Sequence, residues 1–472
     1  MSQTRKEHVF GGRLVMLGFG CIGQGALPLL LRHIAMRPEQ VCVVKPHDSG
    51  LEVAREYGVQ SLVTPLDADN VRQVLEPLLG AGDFLLNLSV DVSSAALIAL
   101  ARERGALYLD TCIEPWAGGY LDGALTPAQR TNYALRENAL ALRSPGRNGP
   151  TAVLTHGANP GLVSYFVKQA LLDIAAATGT ARRPLRTREG WARLAQSLGV
   201  RVIHIAERDT QVGVRRKTGD EFVNTWSVEG FIDEGTQPAE LGWGSHERHF
   251  PSDGARHVAG SQAAIYLNRP GASTRVRTWT PLASAQHAFL ITHTESISIA
   301  DYLTLGDPAG PRYRPTVHYA YHPCDDTVLS IHELAGRNWR KQAGSRVLKD
   351  EIVSGIDELG VLLMGHARGA YWYGSQLSIE QARDLCPHNS ATSLQVAAPV
   401  MAGVVWAMKN PMRDIVEPDD LPHDEMLRMC RPYLGDVVGV YSDWTPLAGR
   451  DWPFHEAIDR DDPWQFMNFR VV

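Results

Sequence analysis

The feature that most constrains this chain is a glycine-rich turn between a short apolar segment and a helical one. The apolar residues 13–17 end at Gly18, and a G-x-G-x-x-G pattern over residues 18–23 opens the helical segment. Between a strand and a helix, Gly18 permits the tight turn, Gly20 lets the backbone approach a pyrophosphate, and Gly23 allows close packing on a sheet. The pattern alone is also compatible with a turn that binds nothing.

The sequence around this turn repeats the same rhythm of strand and helix through the first third of the chain. The predicted strands are 41–44, 61–63, 83–88, 106–110 and 152–155, and the predicted helices are 26–36, 51–57, 68–79 and 93–104. Short strands that are apolar throughout are typical of a parallel sheet covered by helices on both faces. The predicted fold class is therefore α/β, with a Rossmann-type doubly wound parallel sheet. In this context the turn predicts dinucleotide binding.

The predicted cofactor is a nicotinamide dinucleotide held at the start of the first helix. Unpaired N–H groups at a helix N-terminus bind pyrophosphate, and the predicted contacts are Gly18, Gly20, Cys21, Ile22 and Gly23. The acidic residue expected at the end of the second strand is missing, because Lys45 follows Val44 there; Asp48 is the nearest substitute. Since Lys45 could also favour NADP, the motif leaves the choice between NAD and NADP open.

Further candidate site residues follow the later strands of the predicted sheet. In an open parallel sheet, ligands bind at the carboxyl ends of the strands. The residues at these ends are Ser89, Asp91, Thr111, Glu114, Ala158, Asn159 and Pro160. From position alone, purely structural loop roles remain an alternative for Asp91, Glu114 and Asn159.

Composition and charge exclude several classes of protein. The chain has 472 residues, of which 44% are hydrophobic and 21% are charged, and these are ordinary values for a globular protein. A net charge of −6 does not favour sequence-independent nucleic-acid binding. The six cysteines are scattered and no recognised zinc spacing occurs, so no metal is predicted. The N-terminal residues lack the apolar core of a signal peptide, which favours a soluble cytoplasmic protein without a membrane partner.

The middle of the chain is richer in strands and predicts a second, α+β domain with a mainly antiparallel sheet. Its predicted strands are 201–207, 221–229, 263–268, 288–296, 315–322, 327–335 and 360–373. The uncharged residues 396–408 contain a proline and are too short to span a membrane, so they predict a buried helix. The predicted domains are 1–157 for the dinucleotide, 158–385 for substrate and dimerisation, and 386–472 as a segment that returns to the first domain.

Carboxylates, an aromatic residue and a histidine are interspersed in this second domain. Glu207 ends an apolar strand, Trp226 and Glu234 occur in one acidic segment, and His293 lies in an apolar one. The simpler interpretation is that the tryptophan packs in the core, the acids are solvated and the histidine is a satisfied buried group. Individually, none of these residues establishes a site.

Five segments together resemble the bacterial homospermidine synthases, a branch of the saccharopine-dehydrogenase-like reductases. They are 18–25 (GFGCIGQG), 155–161 (THGANPG), 206–211 (AERDTQ), 224–230 (NTWSVEG) and 389–395 (NSATSLQ). The resemblance extends over nearly the whole chain. It implies a Rossmann domain with an inserted mixed domain and a C-terminal part that returns to the first.

The resemblance also implies an activity and a set of roles. The implied reaction is an NAD-dependent transfer of an aminobutyl group from putrescine or spermidine to putrescine, through imines and without net redox change, by a homodimer. Matching positions imply Trp226 as a cation–π wall and Glu207 as the carboxylate nearest the reacting amine. The other implied roles are ammonium binding by Glu234 and Asp91, a proton shuttle at His293, the nicotinamide end at Asn159 and Glu114, and a weaker cofactor contact at Asn389.

Two other functions remain open at this stage. A carboxynorspermidine- or saccharopine-type dehydrogenase would share the fold but would consume a reductant stoichiometrically. A non-catalytic NAD-sensing protein would bind the cofactor and turn over no amine.

Overall fold

A computed structural model describes residues 6–180, 185–450 and 455–471. Within them, the first sheet has seven parallel strands, and six of these come from the N-terminal part: β1 Leu14–Leu17, β2 Val41–Lys45, β3 Gln60–Val63, β4 Phe84–Asn87, β5 Leu107–Asp110 and β6 Ala152–Val153. The spatial order is β3-β2-β1-β4-β5-β6, and the strand Ile415–Val416 is added beside β6. This is the order of a Rossmann fold, as predicted.

Helices cover both faces of this sheet. They are α1 Cys21–His33, α2 Leu51–Glu56, α3 Val71–Leu75, α4 Ser94–Arg104 and α5 Asn132–Leu140. All four residues of β1 are buried, which explains why the strand is apolar throughout. Ser93 caps α4 by accepting a hydrogen bond from the backbone N–H of Ala96 at 3.4 Å.

In the described part of the chain, the second sheet has eleven strands and is mainly antiparallel, as predicted. Its strands are β7 Val202–Asp209, β8 Pro238–Gly242, β9 Gly254–Arg256, β10 Ala264–Pro270, β11 Arg275–Thr280, β12 Ser284–Phe289, β13 Thr316–His322, β14 Ile356–His366, β15 Gly369–Ser378, β16 Asp436–Ser442 and β17 Arg470–Val471. The main path is β9-β10-β8-β13-β7-β14-β15-β16. The central strand β7 pairs in parallel with β13 and antiparallel with β14, so residues from both neighbours flank its side chains.

The remaining helices pack around the second sheet or join it to the first. They are α6 Leu162–Ala177, α7 Arg188–Leu198, α8 Val228–Thr236, α9 Thr294–Tyr302, α10 Asp325–Gly336, α11 Ile379–Leu385, α12 Ala391–Lys409, α13 His423–Cys430 and α14 Phe466–Phe469. Four pairs of short strands complete the fold: His8–Val9 with Ile34–Ala35, Val212–Gly213 with Ile352–Ser354, Glu221–Asn224 with Gly344–Val347, and Leu305–Asp307 with Gly310–Tyr313.

Four predicted strands of the second domain were wrong in type or extent. The predicted strand 327–335 is helix α10, whose Thr327, Ile331 and Leu334 are buried at helical spacing and whose first turn carries two acids. The predicted strand 288–296 covers the end of β12, a loop and the start of α9. The predicted strand 221–229 is a strand only as far as Asn224, and Ser227 caps the helix α8 that follows. The predicted strand 360–373 is a hairpin of β14 and β15.

The uncharged segment of the C-terminal part forms the core helix α12. By length and composition alone this helix could cross a membrane, but 94% of its most apolar window is buried inside the molecule. It packs against α1. The residues after α12 contribute strands to both sheets: Ile415–Val416 joins the first sheet, and β16 and β17 join the second. The domain boundaries themselves remain predictions.

Candidate active site

A cavity lies where the carboxyl ends of β4, β5 and β6 face strand β7 of the second sheet. Most of the predicted site residues meet there. Those that line the cavity are Ile22, Ser89, Thr111, Glu114, Ala158, Asn159, Pro160, Glu207, Trp226, Glu234 and His293. Asp48, Asp91 and Asn389 do not line it. The predicted glycines and Cys21 form the adjoining turn and the start of α1.

The glycine-rich turn has the geometry that a pyrophosphate needs. Gly18 has a φ of 79°, and a Cβ there would lie 2.4 Å from the carbonyl oxygen of Leu88, so only glycine fits. A Cβ on Gly20 would meet no atom within 4 Å. The first turn of α1 contains no acid, and no described side chain caps its N–H groups. The start of α1 therefore presents backbone donors to an open space.

Lys45 is hydrogen-bonded to the backbone of the glycine-rich turn and of the loop after β2. Its side chain is buried, and its Nζ donates to the carbonyl oxygens of Phe19, at 3.5 Å, and Ser49. The ammonium is therefore occupied by backbone acceptors of the protein. Asp48 is exposed in the loop after β2, where it could reach a ribose. Its contact with a cofactor remains a prediction.

Glu207 lies at the centre of the cavity wall, near the end of β7. Its Oε2 accepts hydrogen bonds from the Tyr319 hydroxyl at 2.5 Å and from Asn159 Nδ2 at 3.2 Å. Burial, together with the neighbouring charge of Asp209, raises the pKa of the Glu207 carboxyl. A buried carboxyl of this kind is best stabilised in its ionised form by a cation placed in the cavity.

His293 is held between two carboxylates immediately before α9. Its Nε2 is 3.1 Å from Glu234 Oε2, and its Nδ1 is 3.4 Å from Glu295 Oε1. Burial alone lowers the pKa of a histidine, but the charges of Glu295 and Glu234 outweigh it and raise the pKa of His293 well above its usual value. The predicted proton shuttle assumed an unperturbed histidine. The two neighbouring carboxylates instead favour the imidazolium form of His293, which can donate a proton.

A third glutamate of the cavity wall, Glu114, follows β5. Burial, with the charge of Glu234 as a further cause, raises the pKa of Glu114 to about 8. The neighbouring Asp91 has a φ of 63°, and its backbone N–H donates to Glu114 Oε2 at 3.5 Å. Asp91 therefore lies beside the cavity wall, where it orients Glu114 through its backbone.

Trp226 is positioned by the start of α8. The helix begins after Ser227, whose hydroxyl accepts a hydrogen bond from the Gly230 N–H at 3.1 Å. The half-buried indole makes an edge contact with Phe231 at 5.6 Å between ring centroids and has its other side toward the cavity. An aromatic face beside carboxylates is an arrangement that binds cations.

Charge distinguishes this cavity from an ordinary dinucleotide site. Its described wall contains three glutamates, a tryptophan and a histidine, and it contains no lysine or arginine. Among the described residues, no group of three or more His, Cys, Asp or Glu side chains is placed to hold a metal ion. The arrangement suits a small cationic molecule bound next to a dinucleotide.

Known proteins resemble this chain over nearly its whole length. The family descriptions "Saccharopine dehydrogenase NADP binding domain" and "Saccharopine dehydrogenase C-terminal domain" match residues 14–153 and 157–440. A homospermidine synthase of Blastochloris viridis is 56% identical, with 98% of each chain covered. One from Mesorhizobium japonicum is 50% identical, over 98% of this chain and 96% of the relative. This chain belongs to the homospermidine synthase family.

Two solved structures have the same fold as this chain. The homospermidine synthase of Legionella pneumophila, solved in complex with NAD, superposes with a TM-score of 0.92 at 47% identity and with 98% of each chain covered. Saccharopine dehydrogenase of Saccharomyces cerevisiae superposes with a TM-score of 0.50 at 10% identity, which shows a shared fold only. The homospermidine synthase resemblance predicted from the five sequence segments is thus confirmed.

The sequence did not identify every residue on the wall of this homospermidine synthase cavity. The additional lining residues are Leu88, Val90, Cys112, Gly157, Ser227, Gly230, Tyr319, Thr392 and Val396. Thr392 and Val396 come from α12, so the returning segment closes one side of the site. Thr392 lies in segment 389–395, one of the five segments of the family resemblance, and that resemblance could have identified it. Tyr319 lies on a correctly predicted strand, but nothing in the sequence indicates that this strand is next to β7.

Asn389 has a different setting from the one the resemblance implied. Its side chain donates to the carbonyl oxygens of Gly25, at 3.1 Å, and Pro387, at 3.0 Å, and it accepts from Ser393 Oγ at 3.1 Å. The amide therefore ties the start of α12 to the glycine-rich helix α1. Its direct contact with a cofactor stays a prediction.

Proposed function

We propose that this chain is a homospermidine synthase that transfers an aminobutyl group from one putrescine to another, using NAD. Two diamines give homospermidine and ammonia, so the reaction has no net redox change. The charge of the cavity supports the proposal most directly. Three glutamates and an indole, without a described lysine or arginine on the wall, suit a dication that becomes a cationic imine. The identity to the B. viridis and M. japonicum enzymes supports it independently.

The residues at the turn fit NAD. The open space above Gly20 and the uncapped N–H groups of α1 would hold the pyrophosphate. Lys45 donates two hydrogen bonds to the backbone carbonyl oxygens of Phe19 and Ser49, and its ammonium is thereby held by the protein and not by an additional phosphate on the ribose, which favours NAD over NADP. When bound, NAD supplies the acceptor for the hydride of the amine-bearing carbon and returns that hydride to the new imine.

Replacing Gly20 with valine tests the cofactor site. We expect the variant to fold, because Gly20 has an ordinary φ of −77° and its Cβ would meet no protein atom. We also expect it to lose bound NAD, because the valine side chain would occupy the space of the pyrophosphate. The measurement is NAD released from purified protein, alongside its melting temperature. Gly11→Val, at another glycine with open space, is the matched control; equal NAD occupancy in both variants would place the cofactor elsewhere.

The proposed role of the carboxylates is to bind and orient the two ammonium ends of the substrate. A carboxylate about 4 Å from an ammonium contributes about 4 kcal/mol at an effective dielectric constant of 20. The indole face of Trp226 adds about 0.5–2 kcal/mol when desolvated. Glu207 would therefore dominate binding at the reacting end, with Glu234 and Glu114 at the other. Trp226 would stabilise the cationic imines without offering a nucleophile that competes with the amine.

His293 would supply a proton when ammonia leaves. Its two carboxylate partners favour the imidazolium, and its ring lies on the cavity wall. The departing amine must accept a proton, whereas the incoming amine must lose one. An imidazolium on the cavity wall suits the first task and a buried carboxylate such as Glu207 suits the second.

Product analysis tests this function directly. We expect purified protein with catalytic NAD to convert putrescine into homospermidine and ammonia in equal amounts, with no reductant added and no net change in absorbance at the NADH band. A requirement for a keto- or aldehyde-acid and for stoichiometric reductant would instead identify a saccharopine-type dehydrogenase. Tight NAD binding without amine turnover would identify a sensing protein.

Three finer expectations remain proposals. We propose that spermidine also donates an aminobutyl group, which would release diaminopropane. We propose that the protein is a homodimer and that it acts in the cytoplasm. Chromatography of the spermidine products and light scattering of the purified protein test the first two, and fractionation of the native cells tests the third.

A further inference from the structure

We propose that Tyr319 is a positioning residue that fixes the Glu207 carboxylate toward the cationic substrate. The inference rests on the proposed function and deepens it, because it assigns the residue that orients Glu207, the carboxylate proposed to bind the substrate. Tyr319 is on β13, which runs parallel to β7 and places Tyr319 opposite Ile205 and Tyr321 opposite Glu207. The two strands are far apart in the chain, so the contact exists only in the folded sheet.

Tyr319 and Asn159 hold one oxygen of the carboxylate and leave the other for a ligand. The Tyr319 hydroxyl and Asn159 Nδ2 both donate to Glu207 Oε2. No described residue donates a hydrogen bond to Oε1, while Glu207 lines the cavity. Two donors on one oxygen stop the carboxylate from rotating. The geometry therefore directs Oε1 at the ammonium that the cavity receives.

The Tyr319 ring is itself fixed by two aromatic neighbours. It stacks on Tyr321 with an interplanar angle of 4° and a centroid separation of 5.1 Å. On another side it packs against the ring of His293 at 4.5 Å. Tyr321 is buried beneath it, does not line the cavity, and has a hydroxyl without a hydrogen-bond partner among the described residues. The two tyrosines thus share a packing role, but only Tyr319 reaches Glu207.

Several ionisable groups lie near Glu207 on the surrounding elements, and the two tyrosines among them carry no charge, because burial raises their pKa well above the usual value. These groups are Asp209 on its own strand, Asp357 on β14, Tyr319 and Tyr321 on β13, and His293 before α9. Burial and the acidic neighbours disfavour the ionised carboxylate, whereas His293 and the donors Tyr319 and Asn159 favour it. Removing the Tyr319 hydroxyl removes one of the few stabilising partners, so the pKa of Glu207 is expected to rise.

A shift in the pH dependence of kcat/KM distinguishes loss of the Tyr319 hydrogen bond from loss of packing. If ionised Glu207 binds the substrate, kcat/KM falls as pH drops through the pKa of Glu207. Tyr319→Phe keeps the ring and its stacking but removes the hydrogen bond, so the acidic limb should move to higher pH. Loss of a hydrogen bond to a charged group is expected to move the acidic midpoint by roughly one to two pH units.

The experiment compares the pH dependence of kcat/KM for putrescine in the parent protein, Tyr319→Phe and Tyr321→Phe. We expect the acidic midpoint to rise by about one to two pH units in Tyr319→Phe and to stay at the parent value in Tyr321→Phe. The protonation of putrescine is common to all three proteins and cancels in the comparison. Equal midpoints in the three proteins, or equal shifts in both variants, would overturn the role of Tyr319.

A second substitution keeps the test decisive if Tyr319→Phe does not fold. Site-specific 3-fluorotyrosine at position 319 retains the ring and hydroxyl but makes the hydroxyl a stronger donor. We expect its acidic midpoint to move to lower pH, and an unmoved or raised midpoint would contradict the proposal. Failure of the parent protein to form homospermidine would be a different result, because it would overturn the proposed function itself.

Discussion

Replacing Glu207 with glutamine is expected to lower kcat/KM for putrescine about a thousandfold while leaving the NAD content unchanged. Glutamine has nearly the same shape and can still accept the Tyr319 hydrogen bond, but it carries no charge. Loss of an ion pair that contributes about 4 kcal/mol lowers kcat/KM by roughly three powers of ten. Steady-state kinetics and NAD released from the purified variant measure the two quantities separately.

Glu247 provides the matched control for this substitution. It is also a buried glutamate that accepts a hydrogen bond from a neighbouring strand, from Thr316 Oγ1 at 2.6 Å, but it does not line the cavity. Glu247→Gln is therefore expected to retain the parent kcat/KM, whatever its effect on stability. Near-parent activity in Glu207→Gln would remove Glu207 from the proposed site.

Substitutions of Trp226 are expected to distinguish the contribution of its π face to kcat/KM from the contribution of its size. Phenylalanine retains a weaker π face, so Trp226→Phe should lose about two- to thirtyfold in kcat/KM, the range of a cation–π contact. Trp226→Glu should retain very little activity, because it removes the face and places another carboxyl among Glu207, Glu234 and Glu114. Kinetics with putrescine and NAD content measure both effects.

A tryptophan outside the cavity controls for general damage to packing. Trp243 follows directly after β8, is buried against Phe250 and Phe466, and does not line the cavity. Trp243→Phe is expected to keep the parent kinetics. If Trp226→Glu were as active as the parent, the cation–π role would have to be abandoned.

The first domain was predictable because its signals are local. Most of the parallel strands are short, buried apolar runs, α4 and α5 are capped by Ser93 and Thr131, and Gly18 is restricted to glycine by its contact with Leu88. The carboxyl ends of such strands meet at one edge, which is why Thr111, Glu114 and Asn159 could be placed together before the structure was known. These inferences need only the rules of parallel sheets.

The second domain was less predictable because its decisive contacts join distant segments. Helix α10 was mistaken for a strand although its buried residues recur at helical spacing. The roles of Trp226 and Glu234 came from the family resemblance alone. The raised pKa of His293 depends on Glu234 and Glu295, which approach from two helices, and the hydrogen bond from Tyr319 to Glu207 depends on the order of strands. No local pattern contains that information.

Isotope retention tests the central claim most directly. Putrescine deuterated at both amine-bearing carbons is incubated with the protein, NAD and an excess of unlabelled NADH, and the homospermidine is analysed by mass spectrometry. If the hydride taken from the donor is returned within the same covered site, the product keeps every deuterium. Homospermidine that has lost one deuterium to the unlabelled pool, or the absence of homospermidine, would contradict the account.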